Sequence, residues 1–435
     1  MSEVLIVGAG PAGLACALVL SCHANTTPGG DGRPHGRTAP GTTVTGLEAV
    51  DPSGRWLAAW DRRFAAQAIP HLRSPAVHHP HPEPFALLEY ARGQGLVPSG
   101  GTQLPTTACF SGFVRRTVEY VGLDRSVTQA AITGLTLDAA GRPTVSLSDG
   151  TTRRPDRLVL ATNVRQPVIP PALRDPVADG RAVLGDAADV ADTPAAGRVV
   201  VLGGGLSGAH LALGAIERGA HVTLVTRRRL TVRRFDTHPS WLGPKKRRPF
   251  EQEPDPVVRR RIIDGARGGG SIPHRARRRI DMAVRDGSLE LRERANPVGV
   301  LPVGDALRLC FDDGSQLDTD VVWLATGARV DVTTDPLFTG LLARFPTPIA
   351  GGLPVLNPDL SWPGTRVHLM GFSAALSLGP TAGNLIGQRR AASRIGASVR
   401  GEDPVRADRT VTGAGACPSQ HRPARRTHRA VGVRS

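Results

Sequence analysis

Three glycines close to the amino terminus have the spacing of a phosphate-binding turn. Gly8, Gly10 and Gly13 stand between an apolar run at residues 4–7 and a small-residue helical segment at residues 14–20. In such a unit the first glycine makes the tight turn, the second lets a diphosphate approach the backbone, and the third lets helix and strand pack closely. The free N–H groups at the helix start attract phosphate. We therefore predict a dinucleotide site formed by Gly8, Gly10, Pro11, Ala12 and Gly13.

An acidic residue at the end of the second strand should complete this site, because a carboxylate there binds a ribose hydroxyl group. The run at residues 43–51 is the best candidate for that strand; it contains Glu48 and ends in Asp51. Residues 22–43 are rich in Gly, Pro, Thr and His, and we interpret them as an insertion in the crossover. We assign the ribose contact to Asp51; the alternative is a simple turn residue before Pro52.

A second turn of the same kind follows an apolar strand at residues 198–202 and opens a helix that ends at Gly219. The strand after it, at residues 221–225, is followed by Arg227 and Arg228 where an acid would serve NADH. A guanidinium pairs bidentately with a 2′-phosphate, which a carboxylate would repel. The sequence therefore predicts NADPH here, and the alternative is a solvated basic turn. The predicted contacts are Gly203, Gly205, Leu206, Ser207, Gly208, Arg227 and Arg228.

Two passages match at a constant offset of 164 residues, and each contains an Asp-Gly turn between two strands. Each continues into an apolar strand that ends in Ala-Thr-Asn at residues 161–163 or in Ala325, Thr326 and Gly327. Asn163 replaces glycine, and Asn tolerates a left-handed backbone almost as well. The six identical positions in register indicate a duplicated half of a nucleotide-binding domain, and they place residues 325–327 at the second site.

The last motif follows a strand at residues 366–371. Gly371 ends that strand, and Gly379, Pro380 and Thr381 open a predicted helix that runs to about Ile395. Proline is accepted in the first turn of a helix. Beyond about residue 400 the chain is rich in Pro, Arg and Gly, which predicts disorder.

The net charge of +16 is local rather than general. Residues 226–280 hold 17 Lys or Arg and 5 Asp or Glu, and residues 400–435 hold 8 and 3. No RNA- or DNA-binding motif accompanies this charge, so we do not expect nucleic acid as a partner. The longest apolar run is far shorter than the roughly 18–20 residues of a membrane span, and no signal peptide is expected because the first strand begins the chain.

Cysteine and histidine usage excludes several kinds of site. The five cysteines, none in a C-x-x-C or zinc spacing, argue for a reducing cytoplasm and leave a disulfide reductase without its dithiol. Four histidines cluster between residues 71 and 81, but in an extended loop without carboxylates at helical spacing, so we expect no metal.

The order of these motifs resembles the two-dinucleotide-domain flavoproteins, and within them the lysine/ornithine N-hydroxylase branch of the NADPH-dependent flavin monooxygenases. Leu72-Arg73 and residues 84–90 are similar to the L-K-D and P-F-S-F-L-N-Y-L segments of that branch, with Arg73 in place of its lysine. The loop with Gly54 and Trp56 resembles the loop that lies against FAD in flavin monooxygenases; the alternative for Trp56 is a core residue.

The resemblance implies an α/β fold with two Rossmann-like, three-layer ββα dinucleotide-binding domains, the NADPH domain being inserted in the FAD domain. It implies an FAD-binding domain at residues 1–164 and 336–398, an NAD(P)H-binding domain at 165–335 and a basic disordered tail at 399–435. In this geometry the helix predicted at 380–395 points its positive end toward the flavin.

The resemblance also implies the activity. NADPH would reduce FAD, and a C4a-peroxyflavin formed with molecular oxygen would hydroxylate a small nucleophilic substrate, without a catalytic nucleophile from the protein. Two alternatives remain open: a reductase that passes electrons to a quinone or protein acceptor, and a flavin-bound regulatory or scaffold protein. A cytoplasmic location is expected, and a homo-oligomer is left open.

Overall fold

The structure is a computed structural model that describes residues 3–22, 46–96, 104–162 and 165–413. Nearly all of the insertion predicted at residues 22–43 lies outside the described residues, as do Asn163 and the tail beyond residue 413.

The strands are, in chain order, β1 (Val4–Val7), β2 (Leu47–Asp51), β3 (Val127–Gln129), β4 (Ile132–Leu137), β5 (Pro143–Leu147), β6 (Thr152–Arg153), β7 (Arg157–Leu160), β8 (Gln166–Pro167), β9 (Ala182–Leu184), β10 (Arg198–Leu202), β11 (His221–Thr226), β12 (Leu289–Glu293), β13 (Pro297–Val303), β14 (Ala306–Phe311), β15 (Gln316–Thr319), β16 (Val321–Leu324), β17 (Ala328–Arg329), β18 (Ile349–Ala350), β19 (Leu353–Pro354) and β20 (Val367–Leu369).

The helices are α1 (Pro11–Cys22), α2 (Ala58–Ala66), α3 (Ala86–Gly93), α4 (Thr107–Val121), α5 (Arg174–Ala178), α6 (Leu206–Glu217), α7 (Pro244–Gln252), α8 (Pro256–Arg267), α9 (His274–Arg285), α10 (Pro336–Arg344), α11 (Ala375–Leu378), α12 (Leu385–Arg400) and α13 (Pro404–Gly413).

Two parallel five-stranded sheets organise the chain, in the orders β20-β7-β1-β2-β3 and β12-β11-β10-β16-β9. The strand that leads into a glycine turn is central in both. Because both faces of a central parallel strand are covered, β1 and β10 are almost wholly apolar. Strand β20 follows all strands of the second sheet in the chain, yet it pairs with β7 in the first sheet. The second unit is therefore inserted in the first, as the sequence predicts.

Each parallel sheet is one layer of three. In the second unit the antiparallel sheet β13-β14-β15 packs on one face of the parallel sheet through apolar side chains such as Leu309 and Phe311, and α6 and α9 cover the other face. In the first unit the antiparallel sheet β4-β5-β6 and the helices α1 and α12 share one core with the parallel sheet. The predicted three-layer ββα architecture is confirmed.

The duplication inferred from the sequence has a structural counterpart. Asp156 accepts a hydrogen bond of 3.0 Å from the backbone N–H of Glu3, just before β1. Its match, Asp320, accepts one of 2.8 Å from the backbone N–H of Arg198, at the start of β10. The matched carboxylates therefore hold the beginning of the central strand in each unit.

The predicted start of the last long helix is wrong. The helix α12 begins at Leu385 instead of Pro380 and continues to Arg400. Gly379 has a φ of 79° and a ψ of −170°, a backbone that turns the chain out of the short helix α11. Asn384 is extended and precedes α12. Pro380 and Thr381 therefore lie in the turn between two helices.

The predicted disorder from residue 399 is also wrong as far as residue 413. Residues 404–413 form α13, which packs on α12. The Asp408 side chain is only 1% exposed and forms ion pairs with Arg390 at 2.6 Å and Arg394 at 2.7 Å. The composition of this segment, rich in polar and basic residues, predicts no buried helix. The helix is held instead by ion pairs between its buried carboxylate and arginines of α12, which composition does not show.

Candidate functional site: two nucleotide-binding turns

The first glycine turn is closed where the fold needs contact and open where a ligand needs space. A Cβ at Gly13 would lie 2.0 Å from the carbonyl oxygen of Gly8, so α1 packs directly on the turn. At Gly10 no described atom lies within 4 Å of the position of a Cβ. Pro11 and Ala12 begin α1 at this opening. An open position beside a helix start is the geometry that a diphosphate site needs, and the site itself stays a prediction.

Asp51 lies beside this turn. Its carboxylate accepts a hydrogen bond of 2.9 Å from the backbone N–H of Ala9 and two more from Ser53. Glu48 instead forms an ion pair with Arg153 at 3.0 Å, away from the turn. The structure therefore brings Asp51 to the site, where a ribose would meet its carboxylate, and leaves Glu48 in a structural role.

The Trp56 side chain lies in the core of the first unit. Its ring is buried, and its indole N–H donates to the carbonyl oxygen of Leu123 at 3.0 Å. The loop is fastened to the turn by its backbone, since the N–H of Leu57 donates to the carbonyl oxygen of Ala9. We therefore correct the assignment of Trp56 from cofactor contact to core residue, because its ring and its donor are both occupied by protein.

The segment between β20 and α12 closes the same end of the first sheet. Gly371 follows β20, and Gly379, Pro380 and Thr381 are buried in the turn before α12. A Cβ at Gly387 in α12 would lie 2.0 Å from the carbonyl oxygen of Thr381, so the turn lies directly against the start of the helix. This turn and the start of α12 are the part of the site that the sequence assigned to the flavin.

Three buried polar atoms near the start of α12 have no hydrogen-bond partner within the described part of the chain: Gln388 Oε1, Arg389 Nε and His79 Nδ1. The other ring nitrogen of His79 bonds to the carbonyl oxygen of Pro84 at 3.1 Å, and Arg389 donates to the carbonyl oxygen of Val77. Buried polar groups are nearly always satisfied, and an enclosed water molecule is the ordinary partner for atoms that protein covers on all sides.

Burial, and to a smaller extent the positive charge of Arg389, lower the pKa of His79 to about 3. Burial also lowers the pKa of Arg389 to about 10, against the opposing influence of Glu83. His79 is therefore neutral at physiological pH. Neither residue is among the predicted cofactor contacts, since His79 was considered only as a metal ligand and no motif includes Arg389. The one signal was the cluster of histidines in the loop.

The second glycine turn repeats the first. A Cβ at Gly208 would lie 2.1 Å from the carbonyl oxygen of Gly203, and one at Gly203 would lie 2.2 Å from the carbonyl oxygen of Ala325. Leu206 and the exposed Ser207 begin α6 at the turn. Gly205 differs from its counterpart Gly10, because Gly270 Cα lies 3.6 Å from the position of its Cβ.

The arginines predicted to select the coenzyme follow β11 directly. Arg227 and Arg228 are both exposed, and the hydroxyl of Thr226 donates to the carbonyl oxygen of Arg228 at 2.7 Å. The guanidinium of Arg228 donates to the carbonyl oxygen of Gly268 at 3.3 Å. The structure therefore brings both residues to the edge of the second sheet where an adenosine ribose would lie, but Arg228 already has a protein partner.

Residues 325–327 hold the connection between the units. Ala325 lies under Gly203, and the hydroxyl of Thr326 donates to the carbonyl oxygen of Val168 at 2.5 Å. The N–H of Val168 donates in turn to the carbonyl oxygen of Gly327. Because the Thr326 hydroxyl has a backbone partner, its part in the site is to support the turn.

Arg73 crosses between the units. It donates to Asp236 at 2.5 Å, to both oxygens of Ser271, and to the carbonyl oxygens of Arg233 and Arg234. Burial lowers the pKa of Arg73, whereas Asp236 raises it. Arg73 is therefore a link between the two units.

The described residues contain no helix that is long and apolar enough to cross a membrane. Nor do they contain a group of three His, Cys, Asp or Glu side chains that could hold a metal ion. Cys16 and Cys109 are buried free thiols, and burial raises the pKa of Cys16 to about 12.

The sequence model of a protein family, pyridine nucleotide-disulphide oxidoreductase, matches residues 2–240. The chain belongs to this family. This oxidoreductase has no significant match among curated proteins. Solved structures resemble it over nearly their whole length.

The cadaverine monooxygenase of Erwinia amylovora, solved with FAD, has a TM-score of 0.70 at 14% identity and covers 93% of this chain and 95% of its own. The ornithine N-hydroxylase of Kutzneria sp. 744, solved with reduced FAD, NADP+ and L-ornithine, has a TM-score of 0.71 at 17% identity and covers 92% and 99%. The L-lysine 6-monooxygenase of Pseudomonas syringae has a TM-score of 0.67 at 18% identity, and the match covers 94% of this chain and 100% of the monooxygenase. At these identities the likeness is one of fold.

Proposed function

We propose that this oxidoreductase is an FAD-dependent monooxygenase that uses NADPH and molecular oxygen to hydroxylate a small nucleophilic substrate, with a primary aliphatic amine as the first class to test. The observation that carries the proposal is the pair of glycine turns on two parallel sheets, one inserted in the other, in a fold that three amine or amino-acid monooxygenases share over 92–94% of this chain. The proposal also fits the absence of a C-x-x-C motif from the sequence.

The residues of the first turn fit FAD. The open space at Gly10 would admit the diphosphate, the start of α1 would face it with free N–H groups, and Asp51 would hold the ribose. When bound, the flavin supplies the oxygen chemistry.

The protein's own part in the reaction is to bind, orient and keep water out. The neutral, buried imidazole of His79 lets the loop at residues 77–84 pack against Arg389 without adding a second charge. A dry and fixed surrounding strengthens each polar contact there. At the second turn Arg227 and Arg228 would favour NADPH over NADH through the 2′-phosphate.

The test is turnover by the purified, flavin-loaded chain with NADPH, oxygen and a panel of amines that includes ornithine, lysine and cadaverine. We expect one amine to stimulate oxygen uptake and to gain one oxygen atom by mass spectrometry. NADPH oxidation that needs a quinone and leaves every amine unchanged would support the reductase instead. A chain that never retains flavin would overturn both.

A further inference from the structure

Residues 267–271, here called the glycine strap, lie across the second glycine turn. A Cβ at Gly270 would lie 2.9 Å from Gly205 Cα and 3.2 Å from Gly205 N. The equivalent glycine of the first turn is Gly10, which has no described atom within 4 Å of its own Cβ position. The two turns are alike in how the helix packs on the turn, Gly13 on Gly8 and Gly208 on Gly203. The second differs because another stretch of backbone occupies the place where a diphosphate would approach.

Both ends of the strap are held by the first unit. Arg267 donates to the carbonyl oxygen of Pro380 at 3.0 Å, and its guanidinium lies 5.2 Å from the centre of the Phe372 ring. At the other end Arg73 donates to the backbone oxygen of Ser271 at 2.9 Å and to its hydroxyl at 3.0 Å. The glycines between these anchors therefore form the part of the strap that can move.

Arg228 lies along this movable part. Its Nη1 donates to the carbonyl oxygen of Gly268 at 3.3 Å. Its Nη2 lies 2.1 Å from the position of a Cβ at Gly269, which has a φ of 85°. A side chain at position 269 would displace the guanidinium from this place. The same arginine stands where the 2′-phosphate of NADPH would bind, so it has two competing partners.

We propose that Arg228 is a latch that selects the coenzyme by holding the strap over Gly205. This inference rests on the proposed use of NADPH. The 2′-phosphate of NADPH draws the guanidinium away from Gly268, and the strap then leaves the diphosphate site. The guanidinium is charged in both contacts, but the phosphate carries the opposite charge and can accept two parallel hydrogen bonds, so it outcompetes a single carbonyl oxygen at 3.3 Å. NADH has no such phosphate and must displace the latched strap by itself.

The latch makes a prediction that a simple phosphate clamp does not. If Arg228 only binds the 2′-phosphate, Arg228→Ala weakens NADP+ and leaves NAD+ unchanged. If Arg228 also holds the strap shut, Arg228→Ala weakens NADP+ but strengthens NAD+. A second variant opens the strap and keeps the arginine: the methyl group of Gly270→Ala would enter the space of Gly205, and Gly270 has no left-handed backbone to strain.

The experiment is calorimetric titration of the full, flavin-loaded chain with NADP+ and with NAD+. For Arg228→Ala we expect NADP+ binding at least about tenfold weaker and NAD+ binding about threefold or more tighter. For Gly270→Ala we expect NAD+ to bind tighter by a similar factor. Gly265→Ala is the matched control, because its Cβ would meet no described atom within 4 Å and it lies on α8, outside the strap. It should change neither affinity.

The outcomes separate this inference from the proposed function. If NADP+ binds the wild type but Arg228→Ala leaves NAD+ affinity unchanged and Gly270→Ala weakens both coenzymes, the strap is a fixed wall and the latch is wrong, whereas NADPH use stands. If neither coenzyme binds the wild type or either variant, both proposals fail. Binding of NAD+ to the two variants alone would support the latch directly.

Discussion

At the scale of single residues, the first glycine turn separates a position that must be open from one that must be closed. We expect Gly10→Val to fold and to lose its flavin, because the side chain enters space that only the diphosphate needs. Gly13→Ala should instead destabilise the flavin-free protein by about 1–3 kcal/mol, since its methyl group meets the backbone of Gly8. Flavin absorbance per chain and thermal unfolding distinguish the two effects. A Gly10→Val protein with normal flavin content would overturn the FAD assignment.

His79 gives a prediction about pH. Burial and Arg389 lower its pKa from 6.5 to about 3, so the unfolded chain binds more protons than the folded one between these values. The stability contribution is present above pH 6.5 and is lost as the pH falls toward 3. His79 should lower the unfolding free energy of the wild type by about 2 kcal/mol between pH 7 and pH 5, and His79→Asn should remove this part of the pH dependence. Urea unfolding of both proteins at the two pH values measures it. An unchanged difference would mean that the imidazole is hydrated.

At the scale of elements, the C-terminal helix α13 is held by a buried ion pair. Burial favours the neutral acid, but hydrogen bonds and charges from Arg390 and Arg394 outweigh it and keep the pKa of Asp408 below its usual value. Asp408→Asn leaves two buried guanidinium groups short of a partner and should cost about 3–5 kcal/mol. Glu402→Gln is the control, because the exposed pair with Arg400 is worth at most about 1 kcal/mol.

Truncation tests the same element. A chain ending at residue 413 keeps α13 and should unfold like the full chain, whereas one ending at residue 403 loses Asp408 and should unfold at a lower temperature. Thermal unfolding of the two truncated proteins provides the comparison. Equal melting temperatures would mean that α13 contributes nothing to the folded state.

Elements whose signal is local could be predicted from the sequence. The strands β1 and β10, both glycine turns and the repeated hairpins are set by short patterns, and the structure has them where expected. The start of α12 and the existence of α13 could not be predicted, because they depend on contacts distant in sequence. Gly379 packs near Phe250, and Asp408 meets arginines of the preceding helix. By sequence Trp56 fits both a contact with FAD and a core residue. The hydrogen bond from its buried indole N–H to Leu123 favours the core role.

At the scale of the whole molecule, insertion of one unit in the other gives two crossings of the chain between them. Strands β8 and β17 pair antiparallel at these crossings, so the two connections form one ribbon. A ribbon of two short strands fixes orientation weakly, and side chains must add to it. Arg73 does so with five hydrogen bonds to the second unit, and two of these hold the strap at Ser271.

Arg73→Lys therefore tests how the units are coupled. Lysine keeps the charge but has only one nitrogen, so it cannot reproduce the fan of contacts that a planar guanidinium makes. The flavin turn lies elsewhere, and flavin content should be unchanged. The rate at which NADPH reduces the flavin should be at least about tenfold lower, because a small misplacement of two reacting groups costs far more in rate than in binding. The loss of flavin absorbance in the absence of oxygen measures this rate. Arg92→Lys, at an exposed arginine outside the junction, is the control. If Arg73→Lys reduces its flavin at the wild-type rate, the ribbon alone positions the two sites, and Arg73 serves only stability.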